Sequence, residues 1–140
     1  MVTSIREVMT PDPLTVDAGA PIVDAARMMR DAKVGTVVVM KNGGEICGIA
    51  TDRDLVVKGI AEKSNASEIR MDDVCSHSLL TVNPDDPSDR AVSLMRDHAL
   101  RRLAVTEDDR LVGIVSLGDL AVERDRKSVL GEISDAPPNN

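Results

Sequence analysis

Ile22, Ala25, Ala26 and Met29 recur at i, i+3, i+4 and i+7, which places them on one face of a helix. Pro21 suits the first turn of that helix, and the stripe predicts an end near Ala32. Val34 to Met40 is rich in β-branched residues and reads as a strand. Lys41-Asn42-Gly43-Gly44 reads as a hairpin turn and Glu45 to Ala50 as the returning strand. A second helix is expected from after Thr51 to about Ile60. Upstream, Leu14-Thr15-Val16 is a short strand. Ser4 to Met9 makes one helical turn with Ile5, Val8 and Met9 on one side, stopped by Thr10-Pro11-Asp12-Pro13 and laid on the core as a flap.

The same order then returns. Asp73-Val74-Cys75 matches Glu7-Val8-Met9, Leu80-Thr81-Val82 matches Leu14-Thr15-Val16, and Ala91, Leu94 and Met95 match Ala25, Met28 and Met29, all displaced by 66 residues. After the hairpin the displacement is 65, since Gly113 to Leu120 answers Gly48 to Leu55; one residue has been lost in the turn, where a deletion is cheapest. One supersecondary unit is therefore used twice. The expected fold is α/β (α+β): two pseudo-symmetric β-α-β-β-α motifs that cannot bury their sheets alone and pack through them, leaving equivalent clefts where strand gives way to helix, at Thr51 and Ser116. The expected boundaries are 1–62 for the first motif with its flap, 63–72 for a connection without sustained period, 73–130 for the second motif, and 131–140 for a disordered tail.

Composition narrows the function. The 140 residues suffice for one domain or two small halves, with no room for a separate catalytic domain. A net charge of -7 argues against an extended nucleic-acid or anionic-membrane surface. No apolar run is long enough to span a bilayer and no signal peptide opens the chain, so a soluble cytoplasmic protein is expected. The chain has no Phe, Tyr or Trp, so the core rests on aliphatic residues and seven Met, and a planar ligand would lie between aliphatic side chains and backbone edges. Cys47 and Cys75 lack ligand spacing and read as inert buried thiols, with no metal site. His98 continues the stripe of Ala91, Leu94 and Met95 as a packing residue, and His77 lies in a turn with no evident partner.

Thr51-x-x-Asp54 and Ser116-x-x-Asp119 carry the candidate chemistry. Both fit a helix capping box, although Asp is a methylene shorter than the Glu that closes such a box well. A hydroxyl at a helix start also lies beside unpaired N–H groups that favour a phosphate. Lys58 reads as an i,i+4 partner of Asp54.

Val8-Met9-Thr10, Leu14-Thr15-Val16, Ala25 to Met29 and Gly48-Ile49-Ala50-Thr51-Asp52-Arg53-Asp54-Leu55, with their second copies through Leu120, resemble a tandem pair of CBS domains, the Bateman module, over roughly residues 4 to 127. The resemblance implies clefts for adenosyl compounds (AMP, ADP, ATP or S-adenosylmethionine) and dimerisation into a flat disc. It implies that Thr51 and Ser116 contact the first phosphate, that Asp54 and Asp119 accept from the ribose hydroxyls, and that the base rests on residues such as Val16 and Val82. Where the family often has Pro in the strand after the first helix, this chain has Val38 and Ala104. The clefts differ too: Arg101-Arg102 precede the second half's strand where the first has Gly35-Thr36, and Arg53 follows Thr51 where Leu117 follows Ser116. Arg101 and Arg102 can neutralise phosphates or pair with Glu107, Asp108 or Asp109.

The reading that results is a stand-alone, non-catalytic sensor of an adenosyl ligand, a homodimer that signals to an unidentified protein, with no nucleic-acid or membrane partner. The alternative is a ligand-free protein-protein interaction module. A third reading, a small enzyme or metal-binding protein using Cys47, Cys75, His77 and His98, is disfavoured because those residues scatter over different elements.

Overall fold

A computed structural model describes residues 3–42, 44–62, 65, 67–77 and 80–124. In chain order its elements are α1 (Ile5–Val8), β1 (Thr10–Pro11), β2 (Thr15–Asp17), α2 (Ile22–Ala32), β3 (Thr36–Met40), β4 (Ile46–Thr51) and α3 (Asp52–Asp54), which continues as a π-helical segment (Leu55–Ile60). They are followed by α4 (Met71–Val74), β5 (Thr81–Val82), α5 (Ser88–His98), β6 (Arg102–Glu107), β7 (Arg110–Ser116) and α6 (Leu117–Arg124). The expected tail, and residues 63, 64 and 66 of the expected connection, lie outside the described residues.

Two compact units separate, one drawn from Pro13–Leu79 and the other from Met1–Asp12 with Leu80–Asn140. The first holds the sheet β2-β3-β4 and the second the sheet β1-β7-β6-β5. In each, a short strand runs parallel to the strand after the long helix, and that strand pairs antiparallel with the next through the hairpin. Val16, Ile22, Ala25, Met29, Val37, Val39 and Ala50 build one core, and Val82, Ala91, Met95, Leu103, Val105 and Val115 the other. Ala26 is exposed, so the buried stripe of α2 is narrower than its periodicity suggests. His98 is also exposed, because it falls on the last turn of α5, beyond the core.

The units cut across the boundaries read from the repeat, because each short helix packs with the opposite copy. Ile5 N–H donates to Asp86 O and Arg6 N–H to Pro84 O, and correspondingly Met71 N–H donates to Ala20 O and Asp72 N–H to Ala18 O. α1 is no peripheral flap, since Ile5 is fully buried in the core of the second unit. Ile69 and Met71, inside the expected connection, are likewise core residues of the first. An apolar turn too short to bury itself is held where a sheet of the other copy offers both core contacts and backbone partners.

Each turn is followed by a backbone crossing over the returning strand. Ser76 exchanges N–H···O bonds with Ile49 at 2.9 and 3.2 Å, and β1 pairs with β7 through Thr10 opposite Ile114 and Pro11 opposite Gly113. A Cβ on Gly48 would overlap the Ser76 carbonyl oxygen, whereas one on Gly113 would lie 2.6 Å from Met9 Sδ and 3.0 Å from Thr10 O. Backbone cannot yield as a flexible thioether can. Gly48→Ala should therefore destabilise the fold by about 1–3 kcal/mol or more and by more than Gly113→Ala, measured by urea unfolding followed by circular dichroism.

Candidate functional site

β4 ends at Thr51, whose extended backbone turns the chain into α3. Asp54 N–H donates to Thr51 Oγ1 at 3.3 Å, and Thr51 N–H donates to Asp54 Oδ2 at 2.9 Å. In the second unit Asp119 N–H donates to Ser116 Oγ at 3.1 Å and Ser116 N–H to Asp119 Oδ2 at 2.9 Å. Aspartate thus closes both boxes as the pattern predicts, although it is a methylene shorter than Glu. The N–H it reaches belongs to the residue three before it, within range of the shorter side chain.

The remaining carboxylate oxygens differ. Lys58 Nζ lies 3.4 Å from Asp54 Oδ1, the i,i+4 pair expected from the sequence. Asp119 Oδ1 has no hydrogen-bond or ion-pair partner among the described residues.

Basic residues divide the two sites further. Arg102 stands directly opposite Ser116 in the β6-β7 register, and Leu117 N–H donates to Arg101 O at 2.8 Å. Both arginines are therefore anchored beside Ser116. Neither guanidinium is paired among the described residues, and Glu107 is taken instead by Arg6 at 2.9 Å. The equivalent positions of the first unit are Thr36 opposite Thr51, and Gly35 O accepting from Asp52 N–H at 3.0 Å. Arg53 is exposed, with no side-chain partner among the described residues. Val16 and Val82 sit within the cores of their own units, which removes their side chains as an exposed platform for a base. The sheet pleat explains this: Val16 and Val82 point inward while their strand neighbours Thr15, Asp17 and Thr81 face out.

The structure also gathers residues that the sequence left apart. Cys47, Asp72, Cys75 and His77 offer ligand atoms that all lie within 4.8 Å of one another, whereas His98 belongs to the other unit. Burial pushes the Cys75 thiol up to about 12 and raises Cys47 as well, where the hydrogen bond to Asp72 adds to burial. The one local signal in the sequence is the Cys75-x-His77 spacing, and bringing Cys47 and Asp72 to it takes the fold. An open depression lined by Asp17, Lys41, Glu45, Arg70, Asp72 and Asp73 lies on the same unit, and neither Thr51 nor Asp54 lines it.

The CBS domain family model matches the chain twice, over residues 5–59 and 71–125. The uncharacterized protein YlbB of Bacillus subtilis (strain 168) is 38% identical over 138 residues, covering 95% of this chain and 93% of that protein. The crystal structure of Hypoxic Response Protein I (HRPI) with two coordinated zinc ions superposes with a TM-score of 0.73 at 27% identity, covering 85% of this chain and 97% of that chain. The CBS domain pair of protein MJ0100, solved with 5'-methylthioadenosine and S-adenosyl-L-methionine, shares the fold with a TM-score of 0.77 at 22% identity, covering 91% of this chain and 100% of that chain.

Because the hydroxyls cap helices whatever else they do, Thr51→Ala and Ser116→Ala should each lower stability by about 1 kcal/mol without any ligand present. Thermal melting of the two variants against the parent checks this.

Proposed function

We propose, from the premise that the chain belongs to the CBS domain family, that it is a non-catalytic regulatory module that binds an adenosyl ligand and passes its occupancy to a protein partner. The observation that carries this reading is the group at the start of α6: Ser116 and Asp119 with Arg101 and Arg102 anchored beside them and unpaired among the described residues. Two guanidiniums left without carboxylates next to a helix N-terminus favour an anion, and a phosphate suits both. The free Oδ1 of Asp119 accepts from ribose hydroxyls without opening the cap.

The nucleotide reading therefore belongs first to Ser116, Asp119, Arg101 and Arg102. At the other site Arg53 supplies the exposed cation and Lys58 already holds Asp54, so Thr51 and Asp54 serve a ligand with less phosphate charge. MJ0100, with its adenosyl ligands, supports the chemical class. Signalling needs only differential affinity between two arrangements of the protein, and the ligand shifts their populations by that difference.

A homodimer is part of the same reading. Val56, Val57 and Ile60, on the π-helical segment, are 54%, 42% and 58% exposed, and a second copy would cover this apolar face. Free thiols in place of a disulfide fit a reducing compartment such as the cytoplasm. Among the described residues no helix is long and apolar enough to cross a membrane.

Ligand and oligomer are tested separately. Melting with AMP, ADP, ATP, S-adenosylmethionine or 5'-methylthioadenosine at about a hundred times the dissociation constant should add roughly 2.7 kcal/mol for the ligand that binds. Asp119→Ala should abolish the rise. Arg101→Ala with Arg102→Ala should abolish it for the nucleotides while sparing the two thioether or sulfonium compounds. No rise with any adenosyl compound would leave Thr51 and Ser116 as caps and favour a ligand-free docking module. Val56→Glu with Ile60→Glu should convert the dimer to a monomer in sedimentation velocity, and an unchanged oligomer would remove this face from the interface.

A further inference from the structure

We infer that Cys47, Asp72, Cys75 and His77 form a tetrahedral binding site for a zinc ion, separate from the residues proposed to hold an adenosyl ligand. The donor set is two sulfurs, one imidazole and one carboxylate, which suits zinc over the oxygen-seeking magnesium and calcium.

The four donors already stand together, with ligand atoms all within 4.8 Å of one another. Zinc bonds of ordinary length at tetrahedral angles separate neighbouring donors by about 3.4–3.8 Å. Cys47 Sγ and Cys75 Sγ are 3.8 Å apart, and Cys47 Sγ is 3.6 Å from His77 Nδ1. Cys47 Sγ is 3.1 Å from Asp72 Oδ1, the thiol donating, a contact that lengthens by about a few tenths of an ångström when the ion replaces the proton.

The imidazole is already in the required tautomer. His77 Nε2 lies 3.0 Å from the carbonyl oxygen of Asp72, and a carbonyl only accepts, so Nε2 carries the proton. That leaves the Nδ1 lone pair for the ion, 3.6 Å from Cys47 Sγ and 4.0 Å from Cys75 Sγ, while the protonated Nε2 lies 3.7 Å from Cys75 Sγ. A backbone carbonyl orienting the second ring nitrogen is the usual support of a metal-bound histidine.

Backbone geometry sets the donors in place. Cys47 is the residue skipped by the β3-β4 register, which passes from Val39 opposite Gly48 to Met40 opposite Ile46. A bulge re-aims the extra side chain. The crossing at Ser76, which Gly48 permits, then brings Cys75 and His77 over it, and α4 supplies Asp72. Both sulfurs are buried, while the Asp72 and His77 side chains are each 53% exposed, so an ion has a way in.

The second unit provides the control. It has the same bulge, skipping Val112, and the same crossing, through Thr10 and Pro11. By the repeat register its counterparts of Cys47, Asp72, Cys75 and His77 are Val112, Arg6, Met9 and Pro11, not one of them a zinc ligand of the usual kind. The fold is built there without such donors, so packing alone does not account for four of them converging in the first unit. On binding, each thiol would release its proton to solvent and two thiolates would bond the ion.

The full chain, reduced and stripped with a chelator, is titrated first with cobalt(II) and then with zinc. These are the chain's only two cysteines and it has no Trp or Tyr, so a thiolate-to-cobalt charge-transfer band is assignable to them against a clear near-ultraviolet background. The expected result is one cobalt per chain with the strong visible bands of a tetrahedral site, displaced by one equivalent of zinc. His77→Ala and Asp72→Asn, which alter exposed side chains and so keep the core, should each weaken binding by at least about tenfold; circular dichroism checks that both remain folded. The inference is overturned if two titratable thiols give no charge-transfer band, or if both variants bind cobalt as the parent does.

Discussion

The structure depends on the approach of one backbone to another at Gly48 and Gly113. The short helix before each repeat is too small to form alone; it persists because its apolar residues enter a core and the chain after it hydrogen-bonds to the returning strand. Those bonds require a residue without a side chain beneath them. The same crossings tie residues 3–12 to the unit of the second copy and residues 67–77 to that of the first, so each compact unit is completed by chain distant in sequence.

Two units with one backbone plan carry different chemistry at corresponding places. Beside the β7-α6 junction are two arginines unpaired among the described residues, where the β4-α3 junction has Gly35 and Thr36. Beneath the crossing of the first unit are two thiols, an imidazole and a carboxylate, where the second has Met9, Val112, Pro11 and Arg6. Duplication supplies two equivalent frames, and because the strand bonds and core contacts fix each frame, side chains at the junction and crossing diverge without unfolding it.

What was legible in the sequence followed from periodicity. The stripes of α2 and α5, the hairpins and the caps at Thr51 and Ser116 are local patterns, and their order is found as read. The swap of α1 and α4 was not legible, because a four-residue turn with one apolar side does not say which core it enters. The grouping of Cys47 with Cys75 and His77 needs a bulge and a long-range crossing together, and no window of sequence contains both. His98 fits the stripe by spacing, yet the core ends a turn earlier. Val16 and Val82, which the resemblance implies lie under a base, are turned into the cores by the pleat.

The closed capping boxes bear on how a ligand is read by this protein. The Ser116 hydroxyl accepts from the helix and still has a proton to donate, so a phosphate would add a bond without breaking that cap, whereas the Thr51 hydroxyl already donates to Asp54 Oδ2 at 3.2 Å. A carboxylate that holds the N-cap N–H with one oxygen would keep the other for a ribose in the proposed site at Asp119, whereas at Asp54 a ribose would compete with Lys58. Without any aromatic side chain, a base has no face to stack on and must be held by its edges, through strand N–H and C=O groups and aliphatic neighbours. For the proposed ligand, binding energy would then be concentrated in directional bonds to phosphate and ribose. On the proposed reading, selection among adenosyl ligands would rest on how much negative charge they carry to Arg101 and Arg102.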